Sequence, residues 1–176
     1  MSDSPLNRGD SQAYIEALLA YLGDRNPLDA FAATPAALRQ AVAGLDDAAL
    51  RTLEAPGKWS VIEVVKHLAD VEIVLGFRYR KTAGEPGTPI PAIDQDLWTQ
   101  ELNYSAADLE ATLEDFEAVR AVNLRFLRGL PESYLQRYCL HSQRGEETLG
   151  TMMRLYAAHD CYHLEQIARI RKAIGA

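Results

Sequence analysis

The sequence predicts an all-α chain of four substantial helices with short accessory helices, and three observations predict it. Apolar residues recur at intervals of three and four through long segments. Capping residues and prolines mark where those segments open, and glycines mark where they close. No segment shows the sustained apolar–polar alternation of a strand, although Tyr134 to Leu140 would pair briefly if it had a partner. The 176 residues suffice for one domain with a complete core, expected over 11–176 behind a flexible tail at 1–10.

Ser11 to Leu22 carries Tyr14, Ile15, Leu18, Leu19 and Leu22 at helical spacing and is closed by Gly23, which predicts an accessory first helix. Asn26-Pro27 and Thr34-Pro35 each place a capping residue before a proline. They predict one short helix to about Ala33 and a second from Pro35 to Ala43, ended by Gly44. Leu45 to Glu54 holds a further helical turn before A-P-G-K-W breaks the chain. Ser60 and Glu63 form an S-x-x-E capping box that opens a long helix to about Thr82.

Gly84 to Pro91, with two glycines and three prolines, is too broken for helix. It is long enough for a crossover between helices that are not antiparallel neighbours. A short helical piece is expected at Asp94 to Glu101. Ser105 and Asp108 read as another capping box, before Leu109, Leu113, Phe116, Val119, Asn123 and Leu127 on a helix ending at Gly129. An irregular link then leads to the last helix, Thr148 to Ile174, and there is no internal repeat.

Composition excludes several classes. Apolar residues make up 48% and charged residues 24%, as in a globular chain, and no apolar run approaches the ~18 residues of a membrane span. The polar start lacks the basic and hydrophobic regions of a secretory signal. Two cysteines, Cys139 and Cys161, are too few and wrongly spaced for a disulfide scaffold, so a reducing cytoplasm is expected. A net charge of −7 disfavours nucleic-acid binding, which needs a basic patch.

The chemistry-bearing signal lies in the last helix. Met152, Tyr156, His159, His163, Ile167, Ile170 and Ile174 advance by threes and fours along one face, so two histidines interrupt the surface that should bury. Four residues apart on a helix, their Cβ atoms lie about 5–6 Å from each other, within reach of one metal ion. Such a pair taken alone reads sooner as two core histidines, each hydrogen-bonded to a carbonyl or a carboxylate. His67 raises the odds of a metal, because it falls on the bundle-facing stripe of another helix. Three neutral imidazoles leave an open side for water or substrate. Imidazole donors suit zinc, nickel, copper or iron.

Other sites fit less well. A di-iron carboxylate centre needs paired E-x-x-H motifs, and only Asp160 with His163 approaches one. An H-E-x-x-H metallopeptidase fails at Asp160, and no G-x-S-x-G elbow exists. Cys161 points away from both flanking histidines and reads as a packing residue. Asp70, one turn beyond His67, is equally an orienting acceptor and an exposed carboxylate. Arg78, about 16 Å along the axis from His67, reads as a surface or ion-paired arginine, with an anionic substrate tail as the alternative. His141 reads as a solvated loop histidine.

K-W-S-V-I-E-V-V-K-H-L-A-D-V-E around His67, I-D-Q-D-L-W at 93–98 and L-H-S-Q-R-G-E-E-T-L-G-T-M-M-R-L-Y-A-A-H-D-C-Y-H-L-E-Q-I around His159 and His163 carry a resemblance over roughly Pro27 to Ile174. The chain resembles the DinB-like superfamily, in the branch that holds bacillithiol S-transferases and proteins labelled metal-dependent hydrolases. The resemblance implies a four-helix bundle with an up-down-down-up path, a nickel or zinc ion on His67, His159 and His163, and frequently a homodimer. It implies an activity in which a low-molecular-weight thiol adds to a small-molecule electrophile. Hydrolysis by metal-activated water is the alternative, and a non-catalytic metal-binding bundle a third. Tyr162 departs from the pattern, standing where transferase relatives often carry another histidine.

Overall fold

The computed structural model describes residues 12–175, with side chains from residue 15 onward; the tail expected at 1–10 lies outside the described residues. In chain order the elements are α1 (Gln12–Leu22), α2 (Pro27–Val42), α3 (Asp47–Arg51), α4 (Val61–Gly84), β1 (Pro89–Ile90), α5 (Gln95–Glu101), α6 (Leu109–Arg128), β2 (Tyr138–His141), β3 (Gly145–Thr148) and α7 (Leu149–Ile174). Helices α2, α4, α6 and α7 form a four-helix bundle.

Side-chain contacts fix the directions of these helices. Thr34 and Ala41 of α2 meet Asp160 and Arg171 of α7, so that pair runs parallel. Phe31 and Arg39 of α2 meet Arg120 and Glu117 of α6, an antiparallel pair. Glu72 and Arg80 of α4 meet Arg120 and Asn123 of α6, again parallel. His67 and Arg78 of α4 meet His159 and Tyr156 of α7, antiparallel. The path is therefore up-down-down-up. The parallel α4–α6 pair requires the crossover that β1 and α5 supply.

The capping box at α4 is present: the Glu63 carboxylate accepts from the backbone N–H of Ser60 at 2.7 Å and from its hydroxyl at 2.8 Å. Replacing Ser60 by Ala should cost about 1 kcal/mol, read as a shift in the urea midpoint with an unchanged slope; a shift below a quarter of that would contradict the assignment.

Three expectations are corrected. Helix α2 is continuous through Pro35 rather than broken at it. A proline inside a helix strips a hydrogen bond from the carbonyl four residues earlier, here Phe31. The Arg120 guanidinium supplies the missing donor, reaching that carbonyl at 3.1 Å from the neighbouring helix. Helix α6 opens at Asp108, whose side chain accepts from the Ala111 N–H, while Ser105 lies in a preceding 3-10 turn. The irregular link after α6 contains two strands. β2 pairs antiparallel with β3 and parallel with β1, so the Tyr134 to Leu140 segment finds partners from Tyr138 onward, while Glu132–Gln136 forms a 3-10 turn. Gly145, at φ 75°, turns the hairpin.

The apolar core falls into two clusters. One gathers around Phe31, Leu75, Tyr79 and Met152, the other around Leu38, Trp59, Ile62, Phe116 and Ile167. Between them a layer of buried polar residues crosses the bundle: Thr34 on α2, His67 and Glu72 on α4, Arg120 and Asn123 on α6, and His159, Asp160 and His163 on α7. Among the described residues no helix is long and apolar enough to cross a membrane.

Candidate metal centre

All three histidines named from the sequence meet inside this layer. His159 Nε2 lies 3.2 Å from His67 Nε2 and 3.0 Å from His163 Nε2. All three residues are buried, and their ligand atoms fall within 4.8 Å of one another. Each ring turns the same nitrogen toward a common point, from one position on α4 and two on α7. Separations near 3 Å match the edges of a coordination polyhedron whose metal–nitrogen bonds are about 2.0–2.1 Å.

The electrostatics suit a cation. Burial, followed by the proximity of His163, lowers the pKa of His67 well below the ordinary imidazole value, and burial with His163 and His67 does the same to His159. Burial pushes His163 down to about 4, partly opposed by its hydrogen bond to Gln166. The rings are therefore neutral near pH 7, the form that donates a lone pair.

The surroundings orient the rings unequally. His163 Nδ1 is 2.8 Å from Gln166 Oε1, so its Nδ1 carries the proton and its Nε2 is left as the donor atom. The i,i+3 spacing of His163 and Gln166 on α7 was visible in the sequence, but Gln166 was not singled out. His159 Nδ1 is buried without a hydrogen-bond partner among the described residues. Trp59, just ahead of the α4 cap, lies 4.8 Å from His67 and nearly parallel to His163 at 6.2 Å between ring centroids. Tyr162, at the departing position, sets its ring edge-on to His163 at 5.0 Å and to Tyr21 at 5.4 Å.

The other candidates sort differently from expectation. Asp70 does not reach His67; it accepts from Lys66 Nζ at 2.7 Å. Asp160 is not among the converging ligand atoms; its Oδ2 accepts from Arg120 at 2.7 Å and from Thr34 at 3.1 Å. Arg120 also donates to Glu72 at 2.7 Å and lies over the rings of Phe31 and Phe116. The sequence reading missed this buried network, because Arg120 sits on the apolar side of α6 with no local partner.

Cys139 is buried and Cys161 half-buried, both free, and burial pushes both thiols up. Arg78 is a buried cation rather than a surface one, bonded to Tyr156 Oη at 2.5 Å and to the Pro91 carbonyl at 2.8 Å. His141 is a buried residue of β2 rather than a solvated loop histidine; the pairing of β2 between β1 and β3 carries it inward.

Burial, then Arg144 and Arg78, push His141 down to about 3. Between about pH 6.5, the ordinary imidazole value, and 3, the unfolded chain takes up a proton here that the folded chain refuses, so stability falls with acid through that window. His141→Gln should therefore lose less stability than the parent between pH 7 and pH 5, measured by urea midpoints at both. Equal losses would contradict this assignment.

The model of the DinB superfamily matches residues 30–167. The chain belongs to the DinB superfamily. A relative from Geobacillus thermodenitrificans, named "Putative metal-dependent hydrolase", is 30% identical over 142 residues, 80% of each chain. YfiT of Bacillus subtilis, which carries the same description, is 28% identical over 142 residues and 80% of each chain. The solved structure of YfiT, described as a probable metal-dependent hydrolase with an unusual four-helix bundle topology, superposes with a TM-score of 0.80. It is 24% identical and covers 94% of this chain and 90% of its own, which establishes the fold of this superfamily member.

Proposed function

We propose that this chain is a metal-dependent enzyme in which His67, His159 and His163 hold one divalent ion, nickel or zinc, and that it transfers a low-molecular-weight thiol to a small electrophile. The observation that carries the metal is the convergence of three neutral Nε2 atoms from two helices inside the bundle. Three protein ligands leave positions for an exogenous group. A bound divalent ion there supplies Lewis acidity, which lowers the pKa of a thiol or of water on its open side.

The chain's own groups favour the thiol. Hydrolysis of an ester or amide gains from a carboxylate base beside the nucleophile, and the nearby carboxylates are engaged: Asp160 and Glu72 by Arg120, Asp70 by Lys66. Thiol transfer needs only deprotonation: the thiolate sulfur bonds to the electrophilic carbon, and any leaving group departs with its bonding pair. Gln166, a neutral partner of His163, adds no negative charge to the ligand set, which preserves the acidity of the ion. Trp59 and Tyr162 wall the rings and limit water. The thiol is supplied from outside: neither cysteine is among the converging ligand atoms, and burial raises both protein thiols.

The names of the relatives favour a second reading, hydrolysis by metal-activated water. Metal-loaded protein assayed with a small thiol plus an electrophile, and separately with an activated ester in the absence of thiol, separates them. Thiol conjugation that vanishes on chelation supports the transferase; chelator-sensitive ester turnover without conjugation replaces it with the hydrolase.

A further inference from the structure

A second cluster of polar groups lies one aromatic ring from the histidine triad. A narrow pocket, bordered by Val71 and Val74 of α4, is lined by Arg78, Gln95, His141, Gln143, Arg144 and Tyr156. Tyr156 joins the two places, its ring set edge-on against His159 at 5.8 Å and its hydroxyl bonded to Arg78.

Two observations mark this pocket as built for an anion. The first is Arg78. It is 3% exposed, and its bonds run to neutral oxygens, the Tyr156 hydroxyl and the Pro91 carbonyl. Buried guanidinium groups are ordinarily neutralised by carboxylates, because an uncompensated charge away from water is costly. Arg120 in the same fold follows that rule with two carboxylates, and Arg144 follows it with Glu147. Arg78 does not.

The second is His141, also 3% exposed. Its Nδ1 accepts from the backbone N–H groups of Gln143 at 3.2 Å and Arg144 at 3.3 Å. A neutral imidazole accepting at Nδ1 carries its proton on Nε2, and this buried Nε2 has no hydrogen-bond partner among the described residues. The neutral state is secured by burial and by the same two arginines. An uncompensated cation and an orphaned N–H donor thus line one pocket, and a single acceptor with negative charge satisfies both. The pocket's small volume, about 10 Å³, admits the head of a small anion and not a bulky one.

We propose that Arg78 and His141 form a carboxylate-binding subsite that anchors the acidic end of the small molecule handled at the histidine triad. Anion binding here stands on the pocket alone; its use as a substrate anchor rests on the metal-dependent reading above. Gln143 and Gln95 add amide groups to the pocket wall, and Tyr156 separates the anchored carboxylate from the reacting end.

The test is a titration of sodium acetate at constant ionic strength into the full-length protein, both metal-loaded and chelator-treated. It is followed by melting temperature and by the ¹⁵N-resolved imidazole signals. Saturable binding is expected in both metal states, with the His141 Nε2–H signal displaced. Arg78→Met should weaken acetate about 10-fold or more, the loss of one charge-assisted hydrogen bond. His141→Phe should weaken it similarly, and His141→Gln, which restores a donor, should recover part of the affinity. No saturable binding, or binding indifferent to both Arg78→Met and His141→Phe, overturns the subsite. Binding confined to the metal-loaded protein assigns acetate to the ion and also overturns it. Chloride or phosphate binding more tightly than acetate overturns the carboxylate assignment. The chelator-treated arm involves no ion, so a failed metal reading leaves it intact, and a failed subsite leaves the metal content of the triad intact.

Discussion

Replacing His163 by Ala should reduce bound metal from about one equivalent per chain to a small fraction, measured by elemental analysis after the protein is freed of loose ions. His163 supplies one of only three converging Nε2 atoms, and two imidazoles on different helices make a far poorer chelate. Gln166→Ala should have a graded effect, because it removes only the partner of His163 Nδ1. Loss of such a partner costs about 10–100-fold in affinity. The order of retained metal should be parent, then Gln166→Ala, then His163→Ala. Metal content unchanged in His163→Ala would end the case for this centre, and a Gln166→Ala protein weaker than His163→Ala would mean the rings are oriented by something else.

The largest effect on stability should come from Arg120→Met. Arg120 is buried between Glu72 and Asp160, each 2.7 Å from it. Burial works against its charge, but the two carboxylates outweigh that and hold its pKa raised. Glu72 shows the opposing pull: burial pushes its pKa up, and Arg120 draws it back. Removing the cation leaves two carboxylates facing each other in an apolar bundle and strips the Phe31 carbonyl of its donor. Breaking a buried pair this way costs about 3–5 kcal/mol, read from urea unfolding at pH 7. Adding Glu72→Gln and Asp160→Asn to Arg120→Met should restore much of the loss, since neutral amides need no counter-charge. A loss below about 1 kcal/mol in the single variant would show that the network holds nothing together, since that is the scale of an ordinary hydrogen bond.

The two predictions act on one structural layer with different chemistry. Neutral imidazoles converge on the α4–α7 side, while on the α6 side a guanidinium neutralises the two buried carboxylates. The Arg120 network thereby engages Asp160, immediately next to His159 in sequence, on the side away from the histidine triad's own partners.

Much of this was legible in advance. Helical period placed His67 and the His159/His163 pair on buried stripes, and the structure buries all three. Ser60, Asp94 and Thr148 open their helices as local chemistry requires. Failures occurred where a local signal was overruled from a distance. Pro35 reads as a break until Arg120 reaches across from α6. Tyr138 to His141 reads as loop until β1 and β3 arrive on either side, and with that pairing His141 moves from solvent to interior. Arg78 reads as a surface cation until Tyr156 and Pro91 close over it.

The sequence by itself determined the helices, their caps and which face of each is buried, because those follow from periodicity and from hydrogen bonds between near neighbours. The tertiary structure alone decided that the His67 nitrogen stands 3.2 Å from that of His159, that Arg120 answers two carboxylates and a proline-freed carbonyl, and that Arg78 and His141 share a pocket. Those are pairings between residues about 40 to 90 positions apart, and period fixes only the face a side chain occupies, whereas the way the four helices pack fixes what it meets there.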